Sequence, residues 1–185
     1  MALRMILTGE DPFLRKKSRV LTDFNERTAM LMDDLAETLR SANGLGLAAP
    51  QVGVLRRAVV VADGEEIMEF INPEITMQEG EIGMEEACLS CPGISGYVKR
   101  PQNIEVRAND RLGAEFTRAF EGVLARAVCH EVDHLDGILF TDLAELLLED
   151  SEDDEVEEPA AQAVDVQSEP LQDGEGERAD NSEGE

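Results

Sequence analysis

The sequence predicts an α+β domain, with antiparallel or mixed β-sheets around one buried helix and an amphipathic helix near the N-terminus. Two observations carry this. Apolar residues recur at helical spacing in two separate stretches, and the chain between them is a succession of extended segments broken by turn residues rather than by further helices. Alternating strand and helix patterns, the mark of a parallel sheet, are missing.

The first helix starts near Asp23. In "DFNERTAMLMDDLAETLRSANG" the residues Phe24, Thr28, Leu31, Met32, Leu35 and Leu39 fall on one face, Asp23 and Glu26 suggest a capping box, and Gly44 lies beyond the end. A Gly-rich loop follows. "RRAVVVA" (56–62) reads as a buried strand and "EFINPEI" (69–75) as a strand broken at Pro73. "ISGYVKRP" (94–101), "NIEVRAND" (103–110) and "AEFTRAFE" (114–121) are further strands, the last two joined by a hairpin turn at "RLG". From Gly122 the period returns to that of a helix, with Val123, Leu124, Ala127, Val128, Glu131, His134 and Leu135 in one sector and Asp136-Gly137 as the stop.

A chain of 185 residues is long enough for one domain with a core and too short for two. Of the net charge of −25, residues 149–185 carry −15, from sixteen Asp or Glu against one Arg, which leaves −10 for residues 1–148. The boundary is therefore placed at 148/149: a catalytic domain, then an acidic tail without aromatic residues and with too little apolar surface to offset ordering, read as disordered. A mildly acidic body offers no basic stripe to nucleic acid, and no stretch has the length of a membrane span. The N-terminus lacks the patterns of signal or transit peptides, and three cysteines are an odd number for a disulfide framework. A cytoplasmic monomer is expected.

The stretch "CHEVDHLDG" (129–137) holds both histidines of the chain. Four residues apart on a helix, His130 and His134 point the same way and can share a metal ion. Glu131, about 100° round the axis, can reach a water at that metal without being a ligand. Two histidines satisfied within a core helix are the plainer explanation, but the spacing and the following Glu favour a metal. A third ligand must then be Cys or carboxylate, and "EEACLSCPG" (85–93), read as a loop between strands, offers Cys88 and Cys91. If both bind, Cys88, Cys91, His130 and His134 make a closed structural zinc site. One Cys leaves a position open for chemistry. In "GLGLAAPQVG" (44–53), Gly44 and Gly46 allow close backbone approach, and Gln51 is an amide donor of the kind that stabilises an oxyanion.

With "GLGLAAPQ", "EACLS" and "HEVDH" in this order, and with "FINPEI", "VKRPQNIEVRANDRLG" and "DGILFTDL" beside them, the sequence resembles the peptide deformylases over residues 1 to about 145. The resemblance implies removal of the formyl group from N-formylmethionyl nascent peptides. It implies Cys88, His130 and His134 as ligands of one divalent metal, usually Fe2+ in the family, with Zn2+, Ni2+ or Co2+ as substitutes. Glu131 would be general base and later proton donor, with Gln51 and the Leu89 N–H stabilising the oxyanion. The backbone of Leu45 and Gly46 would pair with the substrate, Arg100 would lie on the substrate side, and Leu45, Val123, Ala127 and the stem of Arg126 would line the methionine pocket. Transient proximity to the ribosome follows, without direct nucleic-acid binding. A zincin-type peptidase shares H-E-x-x-H but not the other two motifs. Two positions depart from the family: Ala87 stands where Gly is usual, a strain if φ is positive there, and Cys129 stands where Gln is usual and reads as a packed core thiol.

Overall fold

The structure, a computed structural model, describes residues 2–149. The acidic tail expected at 149–185 therefore lies, apart from Glu149, outside the described residues. Helix α1 spans Glu26–Ala42, and its cap differs from the expected one: the side chain of Asn25 accepts from the N–H of Arg27 and of Thr28, while Asp23 contributes only its carbonyl, to the Thr28 hydroxyl. At the other end Asn43 takes the left-handed conformation (φ 51°) ahead of Gly44. Asn tolerates that region better than other residues with a side chain, so the glycine was not needed as the stop.

Strands β1 (Gly46–Ala48), β2 (Ala58–Asp63), β3 (Glu66–Glu79), β6 (Asn103–Asn109) and β7 (Glu115–Glu121) form an antiparallel sheet in the order β1-β2-β3-β6-β7. Strands β4 (Ile82–Cys88), β5 (Cys91–Arg100) and β8 (Leu146–Glu149) form a second, in the order β4-β5-β8. Helix α2 spans Gly122–Leu135 and ends at Asp136, with Gly137 at φ 76° donating to the His134 carbonyl as the sequence predicts. The α+β class is as expected.

The run of valines in β2 has no alternation because both of its faces are covered. Ala58 and Val60 pack with Leu31, Met32, Leu35 and Leu39 of α1, whereas Val59 and Val61 pack with Phe70, Ile104, Val106 and, from α2, Ala125 and Val128. The larger sheet is thus sandwiched between the two helices.

Four segments differ from expectation. β3 is not broken at Pro73: it runs through as one strand with a bulge, the pairing with β6 shifting between Ile71 and Glu74. Asn72 enters the bulge at φ 53° and is held there by both ends of its amide, which exchange hydrogen bonds of 2.8 Å with the backbone of Leu21. The Gly-rich loop contains β1 and a 3-10 turn, Ala49–Val52. The segment 85–93 is a tight hairpin, with Leu89 and Ser90 as its turn between β4 and β5. Finally, β8 carries pairing with β5 to Ile94↔Glu149, one residue past the expected boundary.

Candidate active site

Three elements converge on one small volume. Cys88 ends β4, and α2 presents His130 and His134 from successive turns; one donor atom from each lies within 4.8 Å of the other two, and all three residues are buried. The Cys88 Sγ is 3.3 Å from His134 Nε2. Cys91 does not join this group, and Cys129 sits in the apolar cluster between α2 and the larger sheet, where burial pushes its thiol up to about 11. The four-ligand site expected as an alternative is therefore not assembled among the described residues.

Each imidazole is prepared differently. Glu86 Oε2 lies 3.0 Å from His130 Nδ1, which leaves Nε2 of that ring to face the group. Glu86 is itself held by Arg100, through Nε at 2.9 Å and Nη2 at 3.0 Å, and by Arg126. Burial works against its charge, but the hydrogen bonds from His130 and Arg100 outweigh it and hold the carboxyl down at about 2. His130 is raised: burial favours the neutral ring, yet Glu86 and Glu131 together favour positive charge there. A field that favours a proton at this position also favours a cation in its place. His134 is pushed well down, by burial and then by His130, and keeps a free lone pair.

The donor set therefore fits a divalent metal of the borderline class, two imidazole nitrogens and one sulfur with carboxylate behind one ring. Without such an ion Cys88 would be a poor thiolate, its thiol raised by the neighbouring Cys91, by burial and by Glu131; a cation between these groups reverses that balance.

Glu131 follows His130 on the helix and lies wholly inside. Burial pushes its carboxyl up to about 7, and Oε2 has no protein partner among the described residues. Its neighbour across the gap is Gly46 of β1, where any Cβ would collide with the Glu131 carboxylate. That contact explains the glycine.

Gln51, in the 3-10 turn after β1, is fixed by the Ala48 N–H, which donates to Oε1 at 2.7 Å. Its Nε2 is thereby aimed at the site, 3.6 Å from Cys88 Sγ and 3.1 Å from Ser90 Oγ. Leu89 is the first turn residue after Cys88. These groups border a cavity of about 670 Å3 whose walls include Leu45, Gly46, Leu89, Val123, Arg126 and Ala127. Val123, expected in the core sector of α2, is instead half exposed at the cavity wall.

Arg100 requires a correction. The resemblance puts it on the substrate side, but it is buried, lies outside the cavity wall, and spends its guanidinium on Glu86 and Asp133. Its place is behind His130. Glu86 and Asp133 themselves went unnoticed in the sequence, although Glu86 stands two residues before Cys88 on one strand, a spacing that favours a shared face, and both are buried with Ala87 exposed between them. Ala87 causes no strain, since the only described non-Gly residues at positive φ are Asn43 and Asn72.

A helix-borne H-E-x-x-H pair completed by a strand cysteine, at the floor of a cleft in an α+β domain, defines a mononuclear metallohydrolase. The polypeptide deformylase family model matches residues 3–148. The peptide deformylase of Caldicellulosiruptor bescii is 58% identical over 142 residues, 77% of this chain and 86% of that protein. Among solved structures, peptide deformylase from Thermotoga maritima superposes with a TM-score of 0.77 at 35% identity, covering 79% of this chain and 100% of that one. The Met-Ala-Ser-bound class I type b peptide deformylase of Acinetobacter baumannii gives 0.74 at 29% identity, over 77% and 98%. The chain belongs to the peptide deformylase family.

Proposed function

We propose that the chain hydrolyses the N-terminal formamide of N-formylmethionyl peptides, releasing formate and a free amino terminus. The observation that carries this is the buried Glu131 carboxylate with one unpartnered oxygen, beside the Cys88, His130 and His134 group and open to a peptide-sized cleft. When bound by those three residues, a divalent metal supplies a nucleophile at neutral pH by lowering the pKa of water to about 7. Glu131 takes the proton of the attacking water and returns it to the departing amine, a task suited to a carboxyl near neutrality. The Gln51 amide and the Leu89 N–H donate to the oxygen of the formyl group as it gains charge. Glu86, with Arg100 and Arg126 behind it, holds the His130 ring in one tautomer.

The substrate peptide lies along the outer edge of β1, an edge strand of its sheet, with the backbone of Leu45 and Gly46 as its hydrogen-bonding partner. Leu45, Val123, Ala127 and the stem of Arg126 receive the methionine side chain. The Met-Ala-Ser bound by the Acinetobacter baumannii relative supports a peptide of this kind. Ferrous iron is the metal we assign, because a set of two imidazoles and one thiolate accommodates it as well as zinc, nickel or cobalt, and the family usually carries it. Formylated nascent chains place the work in the cytoplasm near the ribosome, by a monomer; the charge of −10 over residues 1–148 disfavours direct contact with RNA phosphate. Catalysis belongs to the body and not to the acidic tail.

The test is an anaerobic assay of iron-loaded protein on formyl-Met-Ala-Ser beside acetyl-Met-Ala-Ser. Release of formate without release of acetate is expected, at equal rates from the full chain and from one ending at Glu149. Turnover of the acetyl peptide, or cleavage between Met and Ala, would overturn the reading.

A further inference from the structure

The hairpin that delivers Cys88 carries a second thiol which the hydrolytic reaction does not use. We propose that Cys91 is a modification site, at which a peroxide drives Cys88 and Cys91 into an intramolecular disulfide that withdraws the sulfur from the metal-ligand set. The proposal rests on Cys88 being a ligand.

The geometry of the turn favours the bond. Cys88 and Cys91 flank the two-residue turn Leu89-Ser90 and are direct Cα partners across the β4–β5 ladder. The pair lies beyond a register shift that follows Ala87, and both side chains enter the same buried cluster with Leu14, Val98, Leu139 and Phe140; Cα atoms of antiparallel partners lie about 4.5 to 5.5 Å apart, inside the disulfide range of about 4.4 to 6.8 Å. Both residues line the cleft, so a small oxidant that enters it meets them. Cys91 is outside the metal-ligand group, and its sulfur is therefore not engaged while that of Cys88 is. The third thiol, Cys129, is turned into the core and does not border the cleft.

The chemistry balances with hydrogen peroxide as the oxidant. The Cys91 sulfur attacks one peroxide oxygen, the O–O bond breaks, and the thiol proton leaves with the departing hydroxide as water, giving the sulfenic acid. The Cys88 sulfur then attacks the Cys91 sulfur, the S–O bond breaks, and the second hydroxide leaves as water with a further proton. Two thiols are oxidised by two electrons and one peroxide is reduced to two waters. A dithiol reductant reverses the step by exchange. Cys88 is thereby diverted into a reversible bond rather than carried to irreversible oxidised acids.

The test uses the full-length chain loaded with zinc, which has no redox chemistry of its own, so that loss of metal traces to sulfur. Zinc per chain is measured first in the wild type, in Cys88→Ser and in Cys91→Ser. Retention in Cys91→Ser with loss in Cys88→Ser supports the ligand assignment, and the reverse pattern counts against that assignment, separately from the disulfide. Roughly one equivalent of hydrogen peroxide is then added and the protein is blocked, digested and weighed. Trypsin cuts after Arg57 and after Lys99 but at no residue between, so Cys88 and Cys91 share a peptide while Cys129, beyond Arg126, is in another.

The expected result is a 58–99 peptide lighter by two hydrogens, zinc released at least about tenfold faster than from Cys91→Ser, and zinc uptake restored by dithiothreitol. An unmodified peptide, a cross-link to the Cys129 peptide, Cys88 over-oxidised with Cys91 still reduced, or equal zinc release from the variant overturns the proposal. Should Cys91→Ser fold poorly, the mass of the peptide from the natural chain decides alone.

Discussion

The layer between α1 and the larger sheet and the layer between α2 and the β4–β5 hairpin are both buried, yet they are built from opposite materials. The first is built mainly from apolar side chains, with Met32, Leu35, Leu39, Leu47, Val60 and Ile71 fully enclosed. The second encloses Glu86, Arg100, Arg126, His130, Glu131 and His134. Burial in the first layer supplies stability directly, since apolar area leaves water. In the second, burial costs solvation energy and is sustained only because nearly every charge has a counter-charge. The exception is Glu131, whose unpaired oxygen marks the place where chemistry is done rather than structure held.

The comparison is broken most severely at that exception. Glu131→Ala removes the proton carrier but none of the three metal ligands, so turnover should fall by about four orders of magnitude or more while metal stoichiometry stays at the wild-type value. Steady-state formate release set beside metal analysis checks this. Near-normal turnover would mean that Glu131 is only a core residue.

Next in size is the loss of a counter-charge. Glu86→Gln keeps the shape of the side chain but leaves Arg100 and Arg126 with less negative charge and His130 with a weaker partner. Metal affinity should fall about 10- to 100-fold, and stability by about 3 kcal/mol. Competition with a chromogenic chelator reads the first and urea unfolding the second. A variant that loses stability but binds metal normally would show that Glu86 serves only the arginines.

These two layers were not equally legible in the sequence. The α1 layer announces itself, because apolar residues on a helix repeat at a fixed period and Leu31, Met32, Leu35 and Leu39 follow it without interruption. His130, Glu131 and His134 were legible for the same reason, being one helical face carrying reactive groups. Cys88 was a candidate by type, and its position at a strand end, not in a loop, was hidden by the absence of a turn residue between β4 and β5. Leu89 and Ser90 make that turn without Gly, Asn or Pro. The second layer of partners was hidden by distance: Glu86 meets His130 across 44 residues and Arg100 meets Asp133 across 33. A polar residue on a strand is read as solvent-facing unless its partner is known. Arg100 was misplaced because the resemblance alone put it with the substrate, whereas in the fold its guanidinium pairs with the buried Glu86 and the partly exposed Asp133.

The apolar layer yields the contrasting test. Leu35→Ala opens a cavity at a fully enclosed position, and such deletions cost about 2 to 5 kcal/mol. Here the affinity for metal should stay within about twofold of wild type, because Leu35 touches the site through no charged or coordinating group. Loss of metal at a temperature where the fold persists would show that the two layers are coupled.

The smallest effect comes from the edge of the first layer, where one charge does face it. Asp34 lies on α1 and accepts the Ala2 N–H at 2.7 Å and Arg4 through Nε at 3.0 Å and Nη2 at 2.8 Å, tying the N-terminal segment to the helix. Burial would raise its carboxyl, but the Ala2 N–H and the Arg4 guanidinium outweigh that and hold it below the usual carboxylate range. A carboxyl whose folded pKa is depressed adds stability that is complete above its unfolded pKa, about 3.9, and is lost as pH falls through the folded value. Asp34→Asn should therefore be destabilised by about 1 kcal/mol at pH 7 and by nearly the same amount at pH 5.5, because Asp34 is ionised in both folded and unfolded chains there. The gap between variant and wild type should close only below about pH 4. Urea midpoints of the two metal-free proteins across that range read it directly, and metal-free protein is required because the ligands of the other layer take up protons in the same window. A gap that narrowed already between pH 7 and pH 5.5 would place the responsible group in the histidine and Glu131 layer, and the separation of the two regions would then fail at its least charged boundary.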